Sequence, residues 1–398
     1  MEEDAMAEQR KQVLFYLPVV TPWWFSNIII HLIRIMANAH DVHVLVPPRW
    51  RNTGLAEEQL DLIADLSHVN WVVLDGPDHH RLRTDASAEE DLIALVAELE
   101  PDLVLCRSSD IKTPARFPGL VRYIMEGGAP PARTGANWIT LAPALFDHGM
   151  IPDLSPEHSE RLDKLAGPIW AQMHQQTALP SREEFLALTG LPSDKTLIGL
   201  PLEYEHEENF FGQHHRYPDN AAMITALAPM LKGNSILAVT NHPLNELYGD
   251  NRALEAAIAD QNGKVLMISG SEDAGQSTLA LSWHSDGMIV GNSKSWSACA
   301  AFGTPVMRLS DFATGDWLQP YSAITDFIAD IDQSVARRAD PIAARHWFTF
   351  HLANNVFDPA DPQLDARDII NRMTHAVDPA RWDSALARYL SQPTEKAA

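Results

Sequence analysis

The chain has 398 residues, a length that suggests two domains. Its 53 acidic and 30 basic residues give a net charge of −23, which disfavours nucleic-acid phosphates and anionic lipid surfaces as partners. Hydrophobic residues make up 45% of the chain, as in globular proteins with a buried core. We therefore expect no nucleic-acid partner.

Cysteine spacing and the apolar segments indicate no disulfide-rich, metal-binding, secreted or membrane-spanning protein. Cys106 and Cys299 lie far apart in sequence, which indicates neither a disulfide framework nor a metal motif. The charged N-terminus has no signal-peptide core, and the longest apolar run, residues 28–36, is too short for a transmembrane segment. We expect a cytoplasmic protein. The polar tail at 391–398 is typical of a frayed end or of a cut from a larger chain. A larger chain would supply a partner domain or a link to a membrane-assembly complex.

Short apolar runs alternate with longer amphipathic ones, a pattern that predicts βαβ units and parallel sheets. The predicted strands of the first half lie at 13–17, 42–46, 71–74 and 103–106, and its helices at 25–36, 55–66 and 88–99. The region 130–192 is rich in Pro and polar residues and is expected to be partly helical, most clearly at 182–188, with a hinge at 190–195.

A second series of elements follows the hinge. Strands are predicted at 196–202, 236–239, 265–268, 287–290 and 305–309, and helices at 220–231, 252–260, 294–302, 366–376 and 381–390. The pattern predicts an α/β fold with two Rossmann-like domains facing a cleft, at 1–190 and 191–360. Helices at 361–398 are expected to pack across both domains and close the chain.

Polar clusters follow successive strands of the second half, where ligands bind to doubly wound sheets. Asn292, Ser293, Lys294 and Ser295 open a helix that Gly303 ends. Such residues serve as an ordinary helix cap or bind a phosphate, and Lys294 adds a charge that a cap does not need.

His242-Pro243 and an acidic run follow two other strands. His242 is either a loop histidine bonded to backbone or a donor to a phosphate oxygen. In an extended segment Glu203, Glu205 and Glu207 share one face, and their repulsion should raise some pKa values. The run is either a solvated acidic loop or a source of a catalytic base or nucleophile. The loop 269–273 is also polar.

The strand ends of the first half carry aromatic and charged residues that suit a saccharide acceptor. Trp23 and Trp24 follow the first strand, and core packing is an equally good explanation for them. Arg107 follows the fourth strand, and Glu126 and Asp147 lie in later loops. No histidine spacing matches a metal-ligand set, so we expect no metal.

The order of these motifs resembles GT-B glycosyltransferases that use CMP-activated sugars, above all the capsule-type and O-antigen-type bacterial β-Kdo transferases. The resemblance spans about residues 200–306. Its matching positions are Pro201-Leu202-Glu203, Glu207, His242-Pro243, Asn292-Ser293-Lys294 and Gly303-Thr304-Pro305-Val306. The sequence departs from the family pattern at Glu203 and Glu207, where the family has Gln and Asp. It also has Thr240-Asn241 where Lys is usual and Ala298 where an acid is frequent.

The resemblance implies a metal-independent glycosyltransferase that makes bacterial surface polysaccharide, lipopolysaccharide or capsule. The donor, a CMP-activated Kdo or related ulosonic acid, would bind the C-terminal domain and is a substrate rather than a cofactor. The implied catalytic residues are Glu207 as nucleophile, Glu205 and His242. The implied donor-binding residues are Glu203, His242, Pro243, Asn292, Ser293, Lys294 and Ser295. A saccharide acceptor would bind Trp23, Trp24, Arg107, Glu126 and Asp147, and an inverting enzyme would use Glu126 or an acid of the run as base.

Two other functions remain open from the sequence. A UDP-sugar glycosyltransferase or a nonhydrolysing UDP-sugar 2-epimerase would share the two-domain fold and bind UDP. A noncatalytic sugar-binding or assembly subunit would keep the fold, and substitution of Glu207 would affect no turnover.

Overall fold

The computed structural model describes residues 10–146, 148–177, 179–268 and 274–392. The strands are β1 Gln12–Tyr16, β2 Asp41–Val46, β3 Asn70–Val73, β4 Leu103–Cys106, β5 Leu120–Glu126, β6 Ile139–Ala142, β7 Thr196–Pro201, β8 Ser235–Thr240, β9 Val265–Met267, β10 Gly287–Val290 and β11 Val306–Arg308. The α-helices are α1 Pro22–Trp24, α2 Ile30–Ala37, α3 Glu57–Asp61, α4 Glu90–Leu99, α5 Pro156–Gln176, α6 Arg182–Thr189, α7 Asn220–Leu227, α8 Pro243–Tyr248, α9 Arg252–Ala259, α10 Ala274–His284, α11 Ser295–Phe302, α12 Ile324–Asp332, α13 Pro341–Phe350, α14 Ala366–Thr374 and α15 Trp382–Ser391.

The chain divides into two compact units. Unit 1 comprises Met1–Gly127, Gly135–Leu145 and Asn355–Asp378, and unit 2 comprises Gly128–Thr134, Phe146–Asn354 and Pro379–Ala398. Helix α14 therefore belongs to unit 1 and helix α15 to unit 2.

Unit 1 is built on a six-stranded sheet in the order β3-β2-β1-β4-β5-β6. All its strand pairs are parallel except the antiparallel pair β5–β6. Strands β1 and β4 consist almost wholly of buried apolar residues, as expected for strands covered by helices on both faces. Helices α2 and α14 contribute Ile33 and Ile369 to this core.

Unit 2 is built on a five-stranded parallel sheet in the order β11-β10-β7-β8-β9. Its first strand in sequence, β7, lies at the centre, and later strands are added on both sides, as around β1 in unit 1. Ligands bind doubly wound sheets at this reversal, outside the carboxyl ends of the central strands. The prediction of an α/β fold with two Rossmann-like sheets is confirmed.

Several local predictions were wrong. The helix predicted at 55–66 ends at Asp61, and Glu126 is the last residue of strand β5 rather than a loop residue. The sequence assigned no strand to β5 or β6 and missed the 21-residue helix α5. Helix α5 continues through Pro168, in a region that the sequence described only as rich in Pro and partly helical.

The division into units differs from the predicted boundary at residue 190. Helix α5 precedes that boundary, yet it packs against α13 and belongs to unit 2. Gly190, which was predicted to start the hinge, instead ends helix α6 with a left-handed φ of 69°.

We predict that Gly199→Ala, in the central strand β7, lowers the free energy of unfolding by about 1–3 kcal/mol through overpacking. An added Cβ would overlap Met288 Sδ and lie 2.9 Å from Leu281 Cγ. Gly76→Ala is the control, because no atom lies within 4 Å of its added Cβ and its φ is not left-handed. Denaturant unfolding compares the two variants. Equal stability of both would show that β7 does not pack against α10 and β10 as described.

Candidate functional site

A cavity of about 220 Å³ opens at the carboxyl ends of β7 and β8 in unit 2. Pro130 and four later segments of the chain line the cavity. These segments are Pro201 and Leu202 at the end of β7, Thr240 to Pro243 at the end of β8, Thr278, Leu279 and Ser282 of α10, and Ser293, Lys294, Ser295 and Ala298 around the start of α11. Two of the polar clusters that the sequence singled out, His242-Pro243 and Ser293 to Ser295, therefore meet at one cavity.

Helix α11 begins at this cavity with a polar turn. Ser293 Oγ accepts a hydrogen bond from Ser295 N at 3.3 Å, and the hydroxyls of the two serines lie 3.1 Å apart. The helix ends at Gly303, whose φ is 72°. Lys294 is half-buried at the helix start and lines the cavity. The free N–H groups of a helix start and a lysine side chain together favour an anion.

His242 caps helix α8 and also lines the cavity. Its Nδ1 accepts a hydrogen bond from Leu244 N at 3.3 Å, so the proton of the neutral ring lies on Nε2. Burial lowers the pKa of His242, which keeps the ring neutral at pH 7. The ring also stacks on Tyr204, with centroids 5.0 Å apart. A neutral imidazole in this tautomer can donate one hydrogen bond to a ligand oxygen.

Glu203 joins the loop after β7 to the loop after β10. Its Oε1 accepts a hydrogen bond from Asn292 N at 3.0 Å, and its Oε2 lies 3.6 Å from His215 Nε2. The carboxylate occupies the space beside Gly291 that a Cβ would fill. Glu203 lines a smaller cavity of about 20 Å³ together with Glu205 and Asn292, not the larger one.

The acidic run does not keep one face throughout. Glu203 and Glu205 line the same small cavity, as alternation predicts, but the chain turns after His206, where Asn209 N donates to His206 O at 2.9 Å. Glu207 lies exposed in this turn and lines neither cavity. The prediction that all three carboxylates share a face was wrong, because the extended conformation ends too early.

Glu205 accepts a hydrogen bond from Asn220 N at the start of α7. Burial raises the pKa of Glu205 to about 7, the Asp219 carboxylate adds to this rise, and the Asn220 hydrogen bond opposes it. The expected rise therefore occurs, although its main cause is burial rather than repulsion within the acidic run.

Two buried asparagines that the sequence analysis did not select hold these loops together. Asn220 Nδ2 and Asn245 Nδ2 both donate to the Glu203 carbonyl, at 2.9 and 2.8 Å. Asn245 Oδ1 accepts from Glu205 N at 2.8 Å, and Asn245 Nδ2 also donates to Asn241 Oδ1 at 3.1 Å. Amide side chains early in helices that follow polar strand ends were the available signal.

The side chain of Asn292 also joins neighbouring loops of unit 2. Its Nδ2 donates to His214 O at 3.0 Å, and its Oδ1 accepts from Ser310 Oγ at 2.5 Å. Asn292 lines the small cavity and not the large one. Among the predicted donor-binding residues, those that line the large cavity are His242, Pro243, Ser293, Lys294 and Ser295.

Three of the predicted acceptor residues lie together at the carboxyl edge of the unit 1 sheet. The guanidinium of Arg107 lies 3.6 Å from the ring centroid of Trp24 and donates to Glu126 Oε1 at 2.8 Å. Arg107 is 6% exposed, whereas the Glu126 side chain is 49% exposed. Trp23 is 47% exposed, which excludes core packing as its explanation. Asp147 and the polar loop 269–273 lie outside the described residues.

The large cavity combines anion donors with apolar walls. Lys294, His242 and two serine hydroxyls suit a phosphate, and Leu202, Leu279 and Ala298 suit the apolar faces of a base or ribose. Within the described ranges, no three His, Cys, Asp or Glu side chains are grouped closely enough to hold a metal ion. No helix in the described part of the chain is long and apolar enough to cross a membrane.

No protein-family model matches the chain, and no curated protein matches it. Solved structures with a similar fold include two KpsC β-Kdo transferases of Thermosulfurimonas dismutans. The β-Kdo 2,7 transferase is 10% identical with a TM-score of 0.43, covering 83% of this chain and 98% of its own. The β-Kdo 2,4 transferase is 11% identical with a TM-score of 0.43, covering 84% and 99%. The UDP-GlcNAc 2-epimerase of Neisseria meningitidis is 10% identical with a TM-score of 0.34, covering 84% and 97%. Because all three TM-scores lie below 0.5, the function is argued from the residues of this chain.

We predict that Glu205→Gln changes stability in a pH-dependent way. The folded-state pKa of Glu205, about 7, lies above its ordinary value of 4.5, so wild-type stability falls as pH rises between these values. Gln keeps an acceptor for Asn220 N but cannot ionise. The melting temperature of the variant relative to wild type should therefore rise between pH 5 and pH 8.

Glu184→Gln is the matched control, because Glu184 also accepts hydrogen bonds at a helix start. Hydrogen bonds from the Ser181 backbone and hydroxyl lower the pKa of Glu184, so its stabilisation is present at neutral pH and lost on acidification. That variant should be less stable than wild type at pH 7 and closer to it at pH 4. A pH-independent difference for Glu205→Gln would show that this carboxyl does not titrate near neutrality.

Proposed function

We propose that the chain is a glycosyltransferase that binds a nucleotide-activated sugar in the large cavity of unit 2. The observation that carries this proposal is the meeting of Lys294, the start of α11 and a neutral His242 around one cavity with apolar walls. In a chain of net charge −23, a lysine beside a helix start indicates an anionic ligand.

The same groups favour bond cleavage as well as binding. When the bond between the anomeric carbon and the phosphate oxygen breaks, its electron pair passes to that oxygen and negative charge grows there. Lys294 and the Nε2–H of His242 stabilise this charge, and the helix cap holds His242 in place before the reaction. The Tyr204 ring stacks on His242 and fixes its orientation.

We propose CMP-activated Kdo or a related ulosonic acid as the donor, on the basis of the ordered motifs at 201–207, 242–243, 292–294 and 303–306. The acceptor is a saccharide that binds Trp23, Trp24, Arg107 and Glu126 of unit 1. Of these, Trp23 offers an exposed indole for sugar stacking, and Glu126 offers an exposed carboxylate held by Arg107.

Glu207 is assigned as the nucleophile. The carboxylate of Glu203 holds the Asn292 backbone, and that of Glu205 caps α7, so both position the site. Glu207 is exposed in the turn that follows, at the position where the resembled family has an Asp. Its carboxylate would attack the anomeric carbon as CMP leaves with the electron pair of the broken bond. The acceptor hydroxyl would then attack the same carbon, lose its proton to solvent and release the Glu207 carboxylate, which gives net retention.

The first test is a thermal-shift titration with CMP, UDP, GDP and ADP without added metal. We predict selective stabilisation by CMP and about tenfold weaker CMP binding for Lys294→Gln, which corresponds to about 1.4 kcal/mol for a lost charge-assisted hydrogen bond. Lys195→Gln is the control, since Lys195 Nζ bonds Asn234 Oδ1 at 2.5 Å and lines neither cavity. Selective stabilisation by UDP would contradict the CMP assignment and favour a UDP-sugar transferase or 2-epimerase. No shift with any nucleotide would favour a noncatalytic subunit.

The second test measures sugar transfer from CMP-Kdo to a saccharide acceptor. Glu207→Gln should lower the turnover rate by at least about a hundredfold while leaving CMP affinity unchanged, because the lost carboxylate acts only in the transfer step. Glu208→Gln, at the neighbouring position, is the matched control and should retain activity. Full activity of Glu207→Gln would remove this residue from the mechanism.

A further inference from the structure

A basic hairpin, residues 47–55, follows strand β2 in unit 1. Trp50 N and Thr53 N each bond the carbonyl of the other residue, at 2.8 and 3.0 Å, which closes a two-residue turn. Arg51 and Asn52 form the turn with φ of 45° and 55°. Arginine is disfavoured in this left-handed conformation, where Asn or Gly is usual, so its presence at the tip indicates a use for its side chain.

The buried side chain of Arg83 holds the hairpin through hydrogen bonds. This fully buried side chain donates from Nε to Thr53 Oγ1 at 2.5 Å and from Nη2 to Pro48 O at 2.8 Å. These bonds run to hydroxyl and backbone oxygens of the hairpin. The guanidinium also lies 5.3 Å from the ring centroid of Trp50.

Positive charge is concentrated around Trp50. The segments 47–55 and 79–83 contain Arg49, Arg51, His79, His80, Arg81 and Arg83 and no acidic residue. The Arg51 guanidinium lies 4.5 Å from the Trp50 ring centroid, and the His80 ring lies 5.9 Å from it. Glu57 and Glu58 follow the first segment, Asp75 and Asp78 precede the second, and Glu89 lies 3.6 Å from Arg81. Arg49 and Arg51 are exposed at the hairpin.

The hairpin lies on the same sheet edge as the residues assigned to the acceptor. Strand β2 pairs with β1, and Gly54 N donates to Val20 O at 2.8 Å, three residues before Trp23. The Trp24–Arg107–Glu126 cluster follows β1, β4 and β5 at that edge. A saccharide of several residues bound at Trp23 can extend along the edge to Trp50.

We propose that the basic hairpin binds an anionic group, a carboxylate or a phosphate, on the saccharide acceptor. This inference deepens the proposed function and rests on it, because it names the class of acceptor. The guanidinium groups of Arg49 and Arg51 match both anions in bidentate geometry, and the Trp50 ring offers a face for the adjoining sugar.

Isothermal titration calorimetry on the full chain tests this with three probes of equal length. Tetragalacturonate carries only carboxylates, a singly phosphorylated maltotetraose carries only phosphate, and maltotetraose is neutral. We expect one or both anionic probes to bind at least about tenfold more tightly than maltotetraose, with an affinity that falls as salt is added. The anionic probe that binds identifies the source of the charge.

Arg49→Gln combined with Arg51→Asn should abolish this preference, while Arg51→Lys should retain part of it. Asn suits the left-handed turn, so the double variant should melt at the wild-type temperature. Arg345→Gln is the matched control, because Arg345 also lies over an indole, 5.8 Å from the Trp170 centroid, but in unit 2. Equal binding of anionic and neutral probes, or an unchanged preference in the double variant, would overturn the inference.

The CMP thermal shift of each variant separates this inference from the proposed function. A wild-type CMP shift that persists in the hairpin variants, with the anion preference lost, supports both. Binding of the anionic probe at the hairpin without binding of any nucleotide would contradict the proposed glycosyltransferase function and would still support the anion site. A chain that binds CMP but no anionic probe would contradict only the anion site.

Discussion

Glu203 is the residue on which the site of unit 2 depends. Its carbonyl accepts hydrogen bonds from Asn220 and Asn245, and its carboxylate accepts the Asn292 N–H beside Gly291. These bonds join the ends of β7, β8 and β10. Because the Glu203 carboxylate is largely withdrawn from solvent and bonded on both sides, displacing it is costly, and this favours fixed positions for the start of α11 and the cap of α8.

The chain has a net charge of −23, but cationic side chains occur at the large cavity and at the basic hairpin. Lys294 stands at the cavity of unit 2, and the basic hairpin stands at the carboxyl edge of unit 1. His242 contributes a hydrogen-bond donor without a charge, because burial lowers its pKa and Leu244 N fixes its tautomer. On a surface with net negative charge, this arrangement favours anionic ligands near these cations.

The sequence was informative where local patterns control structure. Buried apolar runs located the central strands, and strand ends located His242 and Ser293 because parallel strands bring their carboxyl ends to one edge. The sequence was uninformative where tertiary contacts determine the local structure. Alternation could not show that the chain turns after His206 and separates Glu207 from Glu203. The Pro-rich composition of 130–192 did not reveal the 21-residue helix α5, which packs against α13. Pro47-Pro48 marked only the end of a strand, whereas the hairpin beyond it depends on Arg83, 28 residues beyond its end at Leu55.

Hydrogen–deuterium exchange with and without CMP tests the central claim most directly, because it locates the nucleotide instead of only detecting it. The account predicts that CMP slows exchange of backbone amides at 240–245 and 293–298, with little change in unit 1. Slowed exchange confined to other segments of the chain would contradict the assignment of the large cavity as the donor site. So would unchanged exchange at both segments under conditions in which CMP raises the melting temperature.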